Sequence, residues 1–192
     1  MDITGIIELF TLVTGVIFIV LQILQAKGMW LMNILSAAGA IAMALLSRFW
    51  ANAALQTYFI VMGVVGIINW KKLGEKTPDN SVHVVPMTRN VLGTSAAIAL
   101  LGGAAIWWIL LRTNDPSPVA DAVSFILSIV AAWWLARSYK EVWFMWILAD
   151  GVAVWLYASE SHWGMAILYV CYVVSSVIGY LHWKRHGTVI QS

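Results

Sequence analysis

The residues of this chain that are best suited to bind a small molecule lie in two consecutive apolar runs near its C-terminal end. Asp150 stands near the middle of the first run, where an unpaired carboxylate inside a membrane would cost several kcal/mol or more. On a helix that turns about 100° per residue, Trp146 and Tyr157 share the face of Asp150. Tyr169 and Tyr172 share one face of the second run. A carboxylate flanked by aromatic rings predicts a pocket for a flat, cationic molecule.

The composition of the chain indicates an integral membrane protein. Its 192 residues are 61% hydrophobic and 10% charged, and the mean hydropathy is +0.84. A soluble domain of this size has too little interior to bury so much apolar surface. The first residues, MDITG, lack the basic segment and cleavage site of a signal peptide, so the first apolar run is expected to be a true span. The single cysteine, Cys171, excludes a disulfide framework.

The hydropathy pattern predicts seven transmembrane helices. Most of the apolar runs are close to the ~20 residues that a bilayer core requires. The predicted spans are 5–26, 30–47, 51–70, 91–111, 118–138, 142–158 and 164–183. Residues 71–90 contain Pro78 and Pro86 and no helical periodicity, so they are predicted to form an irregular loop.

Basic residues are concentrated in the loops that a seven-span chain places on one side of the membrane. These residues are Lys27, Lys71, Lys72, Lys76, Arg89, Arg137, Lys140, Lys184 and Arg185. The loops on the other side contain Arg48 and Arg112. The positive-inside rule therefore predicts an N-terminus outside and a C-terminus in the cytoplasm, for a multi-pass protein of the cell (inner or plasma) membrane.

An internal repeat determines the predicted architecture. A shift of 113 positions aligns residues 5–74 with 118–187 without a gap. Distinctive residues coincide in this alignment: Trp30 with Trp143, Trp50 with Trp163, Gly66 with Gly179, Trp70 with Trp183, Lys71 with Lys184, and Glu8 with Asp121. Shared apolar composition does not easily align tryptophans, glycines and acids together. The chain is therefore predicted to contain a duplicated three-helix unit.

The fourth span has no counterpart in the repeat, and it would serve as an inverting linker. Three spans return the chain to the wrong side of the membrane, so two parallel units require an odd number of helices between them. The predicted fold is an all-α 3+1+3 membrane bundle, with units at 1–74 and 118–192 joined through 75–117. Parallel repeats of this kind are a transporter architecture in which the substrate binds between the halves near the midplane.

The run from Glu141 to Asp150, EVWFMWILAD, resembles the closing segment of the PnuC vitamin transporters, commonly E-x-W-x-x-W-x-x-x-N. Tyr157, Tyr169 and Trp183 continue that resemblance, which covers nearly the whole chain. The 3+1+3 plan is similar to that of this family and of the related SWEET-type sugar facilitators. The resemblance implies a facilitator that equilibrates a vitamin precursor, which a cytoplasmic kinase traps by phosphorylation. Nicotinamide riboside is the family's best-known substrate, and other branches carry thiamine, riboflavin or deoxynucleosides.

The chain departs from the family pattern at two places. Asp150 replaces the usual Asn, and the aromatic cluster Y-G-W-x-x-W that often ends the third span keeps only Gly66 and Trp70. A carboxylate suits a ligand with a fixed positive charge and paired hydrogen-bond donors. Thiamine has both features, so we expect thiamine as the substrate, with nicotinamide riboside as the alternative. A second mid-membrane carboxylate for ion coupling is missing from the sequence pattern, so uniport is expected.

Further residues are predicted to complete the site. Asn33 takes the place of Trp146 in the first repeat, and Gln56 lies on a polar face of the third span, so both are candidate hydrogen-bond partners of the substrate. Glu8 and Asp121 lie on matching polar faces, which is consistent with a substrate contact or with snorkelling to the outer interface. Trp70 and Trp183 repeat each other at the cytoplasmic end, where the sequence leaves two roles open, a membrane anchor or a gate.

Other classes of protein find little support. The sequence contains no metal-binding or nucleophilic constellation typical of an enzyme, and His182 and His186 bracket basic residues at a solvated helix end. No P-loop indicates ATP binding. We therefore expect no cofactor and no nucleic-acid partner. The expected partners are a small vitamin and membrane lipid, with homo-oligomerisation left open. A receptor or scaffold that binds a ligand without transporting it also remains open.

Overall fold

The computed structural model describes residues 3–26, 28–74, 82–113, 117–159, 161 and 163–190. Its helices are α1 (Ile3–Leu24), α2 (Met29–Leu46), α3 (Trp50–Gly74), α4 (Arg89–Leu110), α5 (Pro118–Ala136), α6 (Val142–Ser159) and α7 (Trp163–His186). All seven are long and apolar enough to cross a membrane. The prediction of seven spans is confirmed. Helix α7 extends beyond its predicted end because Lys184, Arg185 and His186 continue the helix after the apolar segment ends.

Six helices form a closed ring. Helix α1 packs on α2, α2 on α3, α3 on α5, α5 on α6, α6 on α7, and α7 packs back on α1. Helix α4 packs on the outside of this ring against α5, where Trp134 Nε1 donates a hydrogen bond to Ser95 Oγ at 2.9 Å. Each three-helix unit thus forms one half of the ring, and the linker helix lies outside it, as the 3+1+3 prediction requires.

Equivalent contacts in the two halves show the repeat in three dimensions. Gly66 on α3 lies directly against the ring of Trp30 on α2, and Gly179 on α7 lies in the same way against the ring of Trp143 on α6. In each half, a side chain larger than a hydrogen at the glycine would collide with the indole. The aligned glycines are therefore explained by close packing between helices, the usual role of small residues in membrane proteins.

The turns of the two halves also match. Gln25 (φ 49°) and Ser138 (φ 60°) take the left-handed conformation directly after α1 and near the end of α5, at positions related by the repeat. Arg48 (φ 58°) and Ser161 (φ 62°) do so between the second and third helices of each unit. Non-glycine residues adopt this conformation uncommonly. Its recurrence at equivalent positions indicates that the two units share backbone geometry through their turns.

Basic residues cluster at one end of the ring, which we call the basic end. It contains the α1–α2 and α5–α6 turns, the start of α4 and the ends of α3 and α7. Its described basic residues are Lys71, Lys72, Arg89, Arg137, Lys140, Lys184 and Arg185. Lys27 and Lys76 lie outside the described residues. The described basic residues of the opposite end are Arg48 and Arg112.

The loop before α4 differs from its prediction. Val82–Val84 form a short strand, β1, which pairs in parallel with β2, formed by Gly187–Val189 directly after α7. Residues 71–90 are thus not wholly irregular, because α3 extends to Gly74 and β1 lies within the same segment. Residues 75–81 of the predicted loop lie outside the described residues. The segment directly after α7, which lies beyond the last predicted span, contributes the paired strand β2.

Candidate functional site

The ring encloses a cavity of about 380 Å³. All six ring helices contribute to its lining, and α4 does not. The cavity extends away from the basic end as far as Asn52, an exposed residue near the start of α3. A volume in this range is typical of small-molecule sites, which usually combine apolar and aromatic walls with a few polar groups. The two repeats supply different parts of this combination.

The second repeat forms an aromatic and acidic wall. Trp146 and Asp150 on α6 and Tyr169 and Tyr172 on α7 line the cavity, as the helical faces predicted. The rings of Tyr169 and Tyr172 meet edge to face, with centroids 5.6 Å apart. Tyr157 does not line the cavity but stacks on Tyr169, with centroids 5.4 Å apart and 15° between the planes. Tyr157 therefore orients Tyr169 from behind.

Asp150 is the one acidic side chain in the described lining of the cavity. Within the part of the chain that the structure describes, no lysine, arginine or histidine lines the cavity, and Asp150 forms no ion pair. A carboxylate in the middle of a span is costly unless a partner or water compensates for its charge. A positive charge that neutralises Asp150 inside the cavity must consequently come from a ligand or a proton.

The first repeat forms an amide-rich wall. Asn33 on α2, Asn52 and Gln56 on α3, and Gln22 on α1 line the cavity. Under the repeat, Asn33 is the counterpart of Trp146, and Gln56 is the counterpart of Tyr169. Asn33 Oδ1 is buried and has no hydrogen-bond partner among the described residues. Amides both donate and accept hydrogen bonds, so this wall suits hydroxyl groups or another neutral polar part of a ligand.

The counterpart of Asp150 is Ala37, which also lines the cavity. The site is therefore chemically one-sided although its framework is symmetric. The carboxylate, indole and phenol groups stand on one side, and the amides and a methyl group stand on the other, together with the phenyl rings of Phe18 and Phe59. A ligand that matches both sides needs a flat cationic part and a polar neutral part, held at a fixed orientation.

Four tryptophans close the cavity at the basic end. Trp143 lines the cavity, and its ring meets Trp183 edge to face, with centroids 5.5 Å apart. The ring of Trp183 also packs on that of Trp70, with centroids 6.2 Å apart, and the ring of Trp70 packs on that of Trp30, with centroids 5.0 Å apart. Trp70 and Trp183 are buried, at 9% and 1% exposure. These rings form a plug between the cavity and the basic end.

Two indole N–H groups form hydrogen bonds across the repeats and hold this plug. Trp70 Nε1 donates to the carbonyl of Leu135 at 3.2 Å. Trp183 Nε1 donates to the carbonyl of Gln22 at 3.2 Å and to that of Ile23 at 3.0 Å. Leu135 and Gln22 are equivalent under the repeat, so each half anchors its tryptophan on the first helix of the other half.

Two predicted site residues lie away from the cavity. Glu8 is exposed on α1, and Asp121 lies in the first turn of α5. Both are near the helix ends opposite the basic end, several residues short of the cavity lining. A polar face predicts the direction of a side chain but not the depth at which the cavity begins. The structure therefore does not bring these two acids together with Asp150.

Several lining residues were not predicted as site residues. The additional polar residues of the lining are Gln22, Ser36, Asn52, Ser128, Ser175 and Ser176, and the additional aromatic ones are Phe18, Phe59 and Trp143. Serine has little weight in a hydropathy pattern, because its hydroxyl often donates a hydrogen bond to a backbone carbonyl of the same helix. Ser128 and Ser175 do so here, by donating to the carbonyls of Ser124 and Cys171 at 2.8 Å and 2.9 Å.

The fold and the site together define a class of protein. It is a seven-span bundle in which two parallel repeats surround an internal cavity whose two sides differ chemically. Residues 5–185 match the family model described as nicotinamide mononucleotide transporter, and the chain belongs to that family. The resemblance to PnuC is confirmed, and the family is one of membrane transporters rather than enzymes.

Individual relatives carry related names. The chain is 29% identical over 143 residues to the nicotinamide riboside transporter PnuC of Neisseria mucosa, a match covering 67% of this chain and 54% of that protein. It is 30% identical over 136 residues to the riboflavin/roseoflavin transporter RibM of Streptomyces davaonensis, covering 69% and 63%. The matches thus span between about half and two thirds of these relatives. A PnuC of Haemophilus influenzae, also named as a nicotinamide riboside transporter, is 22% identical over 92% of this chain and 90% of its own.

A solved structure has the same fold. The crystal structure of the vitamin B3 transporter PnuC superposes with a TM-score of 0.70, at 22% identity, over 92% of this chain and 81% of that chain. At this level of identity the similarity supports the fold, and the function is argued from the cavity.

Proposed function

We propose that this protein is a uniporter that carries a cationic, nucleoside-like vitamin precursor, with nicotinamide riboside as the leading candidate. The observation that carries the proposal is the unpaired Asp150 carboxylate among aromatic rings, facing an amide wall. Nicotinamide riboside has a flat, positively charged ring and a neutral sugar with hydroxyl groups. These two parts match the two walls.

Each wall has a distinct role in this proposal. The pyridinium ring stacks on Trp146, Tyr169 and Tyr172, and Asp150 balances its charge. Asn33 and Gln56 exchange hydrogen bonds with the ribose hydroxyls. Glu8 and Asp121 have no part in it, because neither lines the cavity.

Nicotinamide riboside replaces thiamine as the favoured substrate. Two of the relatives described above are named as nicotinamide riboside transporters. Thiamine rests on the charge and the paired acceptor oxygens of Asp150, and nicotinamide riboside satisfies that charge equally. The amide wall adds partners for sugar hydroxyls, which thiamine does not have.

The transport cycle follows from the closed basic end. The positive-inside rule makes this end cytoplasmic, with the N-terminus outside and the protein in the cell inner membrane. Substrate enters from the side of Asn52, and the two repeats then tilt to separate Trp70 and Trp183, which act as the inner gate. Asp150 is committed to the substrate, so no ion is coupled. A cytoplasmic kinase would retain the product inside.

The test separates binding from transport. Purified protein is screened for ligand-dependent thermal stabilisation by nicotinamide riboside, thiamine and riboflavin, and then reconstituted in liposomes held at zero potential. We expect the largest stabilisation with nicotinamide riboside, and internal substrate that rises to the external concentration and stops there. Accumulation driven by a proton or sodium gradient would contradict uniport. Stabilisation without flux would identify a receptor or scaffold instead.

A further inference from the structure

The segment 82–85, which we call the strap, lies across the basic end and is bonded on both of its edges. One edge pairs with β2, and the Val84 carbonyl also accepts from Ile190 N at 2.9 Å. On the other edge, the side-chain amide of Gln25 binds both backbone groups of His83. Gln25 Nε2 donates to the His83 carbonyl at 3.0 Å, and Gln25 Oε1 accepts from His83 N at 2.6 Å.

The second contact on that edge comes from the other repeat. Val85 N donates to the Ser138 carbonyl at 3.1 Å. Gln25 and Ser138 are equivalent residues of the two left-handed turns. The strap therefore crosses the pseudo-two-fold axis and contacts the same turn of both repeats, directly beneath the tryptophan plug. The ring of His83 meets that of Trp70 edge to face, with centroids 5.0 Å apart.

The ties to the two repeats are unequal. On the side of the second repeat they consist of backbone hydrogen bonds, from β2 and Ser138, and the strap leads directly into α4, which packs on α5. On the side of the first repeat, the hydrogen bonds among the described residues come from one side chain, that of Gln25, and the ring of Trp70 adds an apolar contact. Hydrogen bonds between two backbone segments break only if one of the segments moves. A side-chain amide can release its partner by rotating.

We propose that the strap is a latch of the inner gate, and that Gln25 is the positioning residue that holds it closed. This inference rests on the proposed transport cycle. When the repeats separate at the basic end, the Gln25 amide releases His83, and the strap moves together with the second repeat. While Gln25 holds His83, the repeats remain joined beneath Trp70 and Trp183, and the cavity stays closed on this side.

Cross-linking distinguishes the two sides of the strap. In a Cys171→Ser background, Gln25→Cys with His83→Cys ties the strap to the first repeat once a short bifunctional thiol reagent is added. We expect flux of nicotinamide riboside to fall at least tenfold after cross-linking and to recover on cleavage of the reagent. Stabilisation by the ligand should persist, because the cavity opens on the opposite side.

The matched control is Val84→Cys with Val189→Cys, register partners that both belong to the second-repeat side. Their cross-link should leave flux within about twofold of the uncross-linked protein. Undiminished flux with the 25–83 cross-link would overturn the proposal. So would an equal loss of flux with the 84–189 cross-link, since the strap would then have to leave β2.

A second measurement needs no substrate, and it separates failure of the latch from failure of the proposed function. Ser176→Cys, in the Cys171→Ser background, places a thiol in the cavity lining. In inside-out vesicles, Gln25→Leu should speed its labelling by an impermeant thiol reagent at least fivefold. Lys72→Gln, an exposed change at the same end, should leave the labelling rate unchanged. Equal rates in the Gln25→Leu and parent proteins would show that Gln25 does not hold the gate.

Discussion

The two three-helix repeats have the same framework and present opposite chemistry to the cavity. Trp30 against Gly66 repeats Trp143 against Gly179. At the cavity, however, Asn33 faces the space that its counterpart Trp146 fills on the other side. Symmetry is thus kept where the helices pack on one another and lost at the cavity, where the two-part ligand that we propose would be bound in one orientation.

The largest expected effect concerns the helix packing that the two repeats share. Gly66→Ala and Gly179→Ala each drive a methyl group into an indole, so each should destabilise the protein by about 1–3 kcal/mol. The two losses should be similar, because the contacts are equivalent. Gly151→Ala, on α6 with open space around the glycine, is the control and should cost nothing. Thermal unfolding in one detergent measures all three. A large difference between Gly66 and Gly179 would break the structural equivalence.

The recognition side predicts that the repeats are not interchangeable. Asp150→Asn should weaken binding of nicotinamide riboside by about 1.4 kcal/mol or more, which is tenfold. It should not weaken binding of a neutral flavin, and the protein should remain folded because an amide is cheaper to bury. Moving the carboxylate across the axis, as Asp150→Ala with Ala37→Asp, should not restore affinity, because the aromatic wall stays behind. Binding is measured by calorimetry, and full recovery in the double variant would refute one-sided recognition.

The strap adds a pH dependence to the basic end. Burial lowers the pKa of His83 from 6.5 to about 4. Its Nε2 has no hydrogen-bond partner among the described residues, and its neighbours Trp70 and Gln25 do not titrate in this range. Because the docked pKa is the lower one, docking is fully favoured above pH 6.5 and weakens as pH falls towards 4.

Between pH 7 and pH 5.5 the release of the strap should therefore increase by somewhat less than tenfold. Labelling of Ser176→Cys by an impermeant thiol reagent applied at the basic end, in the Cys171→Ser background, reports this release. Because the reactive thiolate fraction of the reporter falls with pH, each rate is divided by the rate at the same pH in His83→Phe, which keeps an aromatic ring against Trp70 without a titrating group. The ratio of the two rates should rise by this factor between pH 7 and pH 5.5, and a constant ratio would show that His83 does not control the release.

The smallest effect concerns the paired hydrogen bonds of the plug. Trp70→Phe and Trp183→Phe each remove an indole N–H that bonds a carbonyl of the other repeat, at a cost of about 1 kcal/mol. Each variant should speed labelling of the same Ser176→Cys reporter from the basic end by about fivefold, with similar magnitude in both. If one variant opens the gate and the other does not, the closure is asymmetric, and the equivalence of the two anchors fails.

Much of the fold could be predicted from the sequence, because a bilayer limits the kinds of structure that can span it. Runs of about 20 apolar residues must be spans, and the alignment of Trp30 with Trp143 revealed the duplication before any contact was known. The faces of Asp150, Tyr169 and Tyr172 were predictable from helical periodicity alone. The distance of Glu8 from the cavity was not predictable, since periodicity gives the direction of a side chain around the helix and not the position along the helix at which a cavity begins.

The strap at the basic end could not be predicted from the sequence, for a different reason. Val82–Val84 are three residues in a polar segment, and their strand exists only because Gly187–Val189, Gln25 and Ser138 converge on them. No local pattern encodes a pairing between segments so distant in the chain. The expectation of thiamine rested on Asp150, whose charge suits either of two cations. The relatives named as nicotinamide riboside transporters and the amide wall are what favour nicotinamide riboside in our proposal.

The position of α4 outside the ring has a consequence for how such a cavity can diversify. The contacts α3–α5 and α7–α1 are the same surface used twice, so a lone three-helix unit would carry a self-complementary interface and close the ring with a second copy of itself. Two identical chains would have identical walls, and every substitution would appear on both sides of the ligand. Covalent fusion through α4 removes that restriction, and each wall can then mutate alone. Under such a constraint, a site with one carboxylate opposite one methyl group is available only to a fused chain.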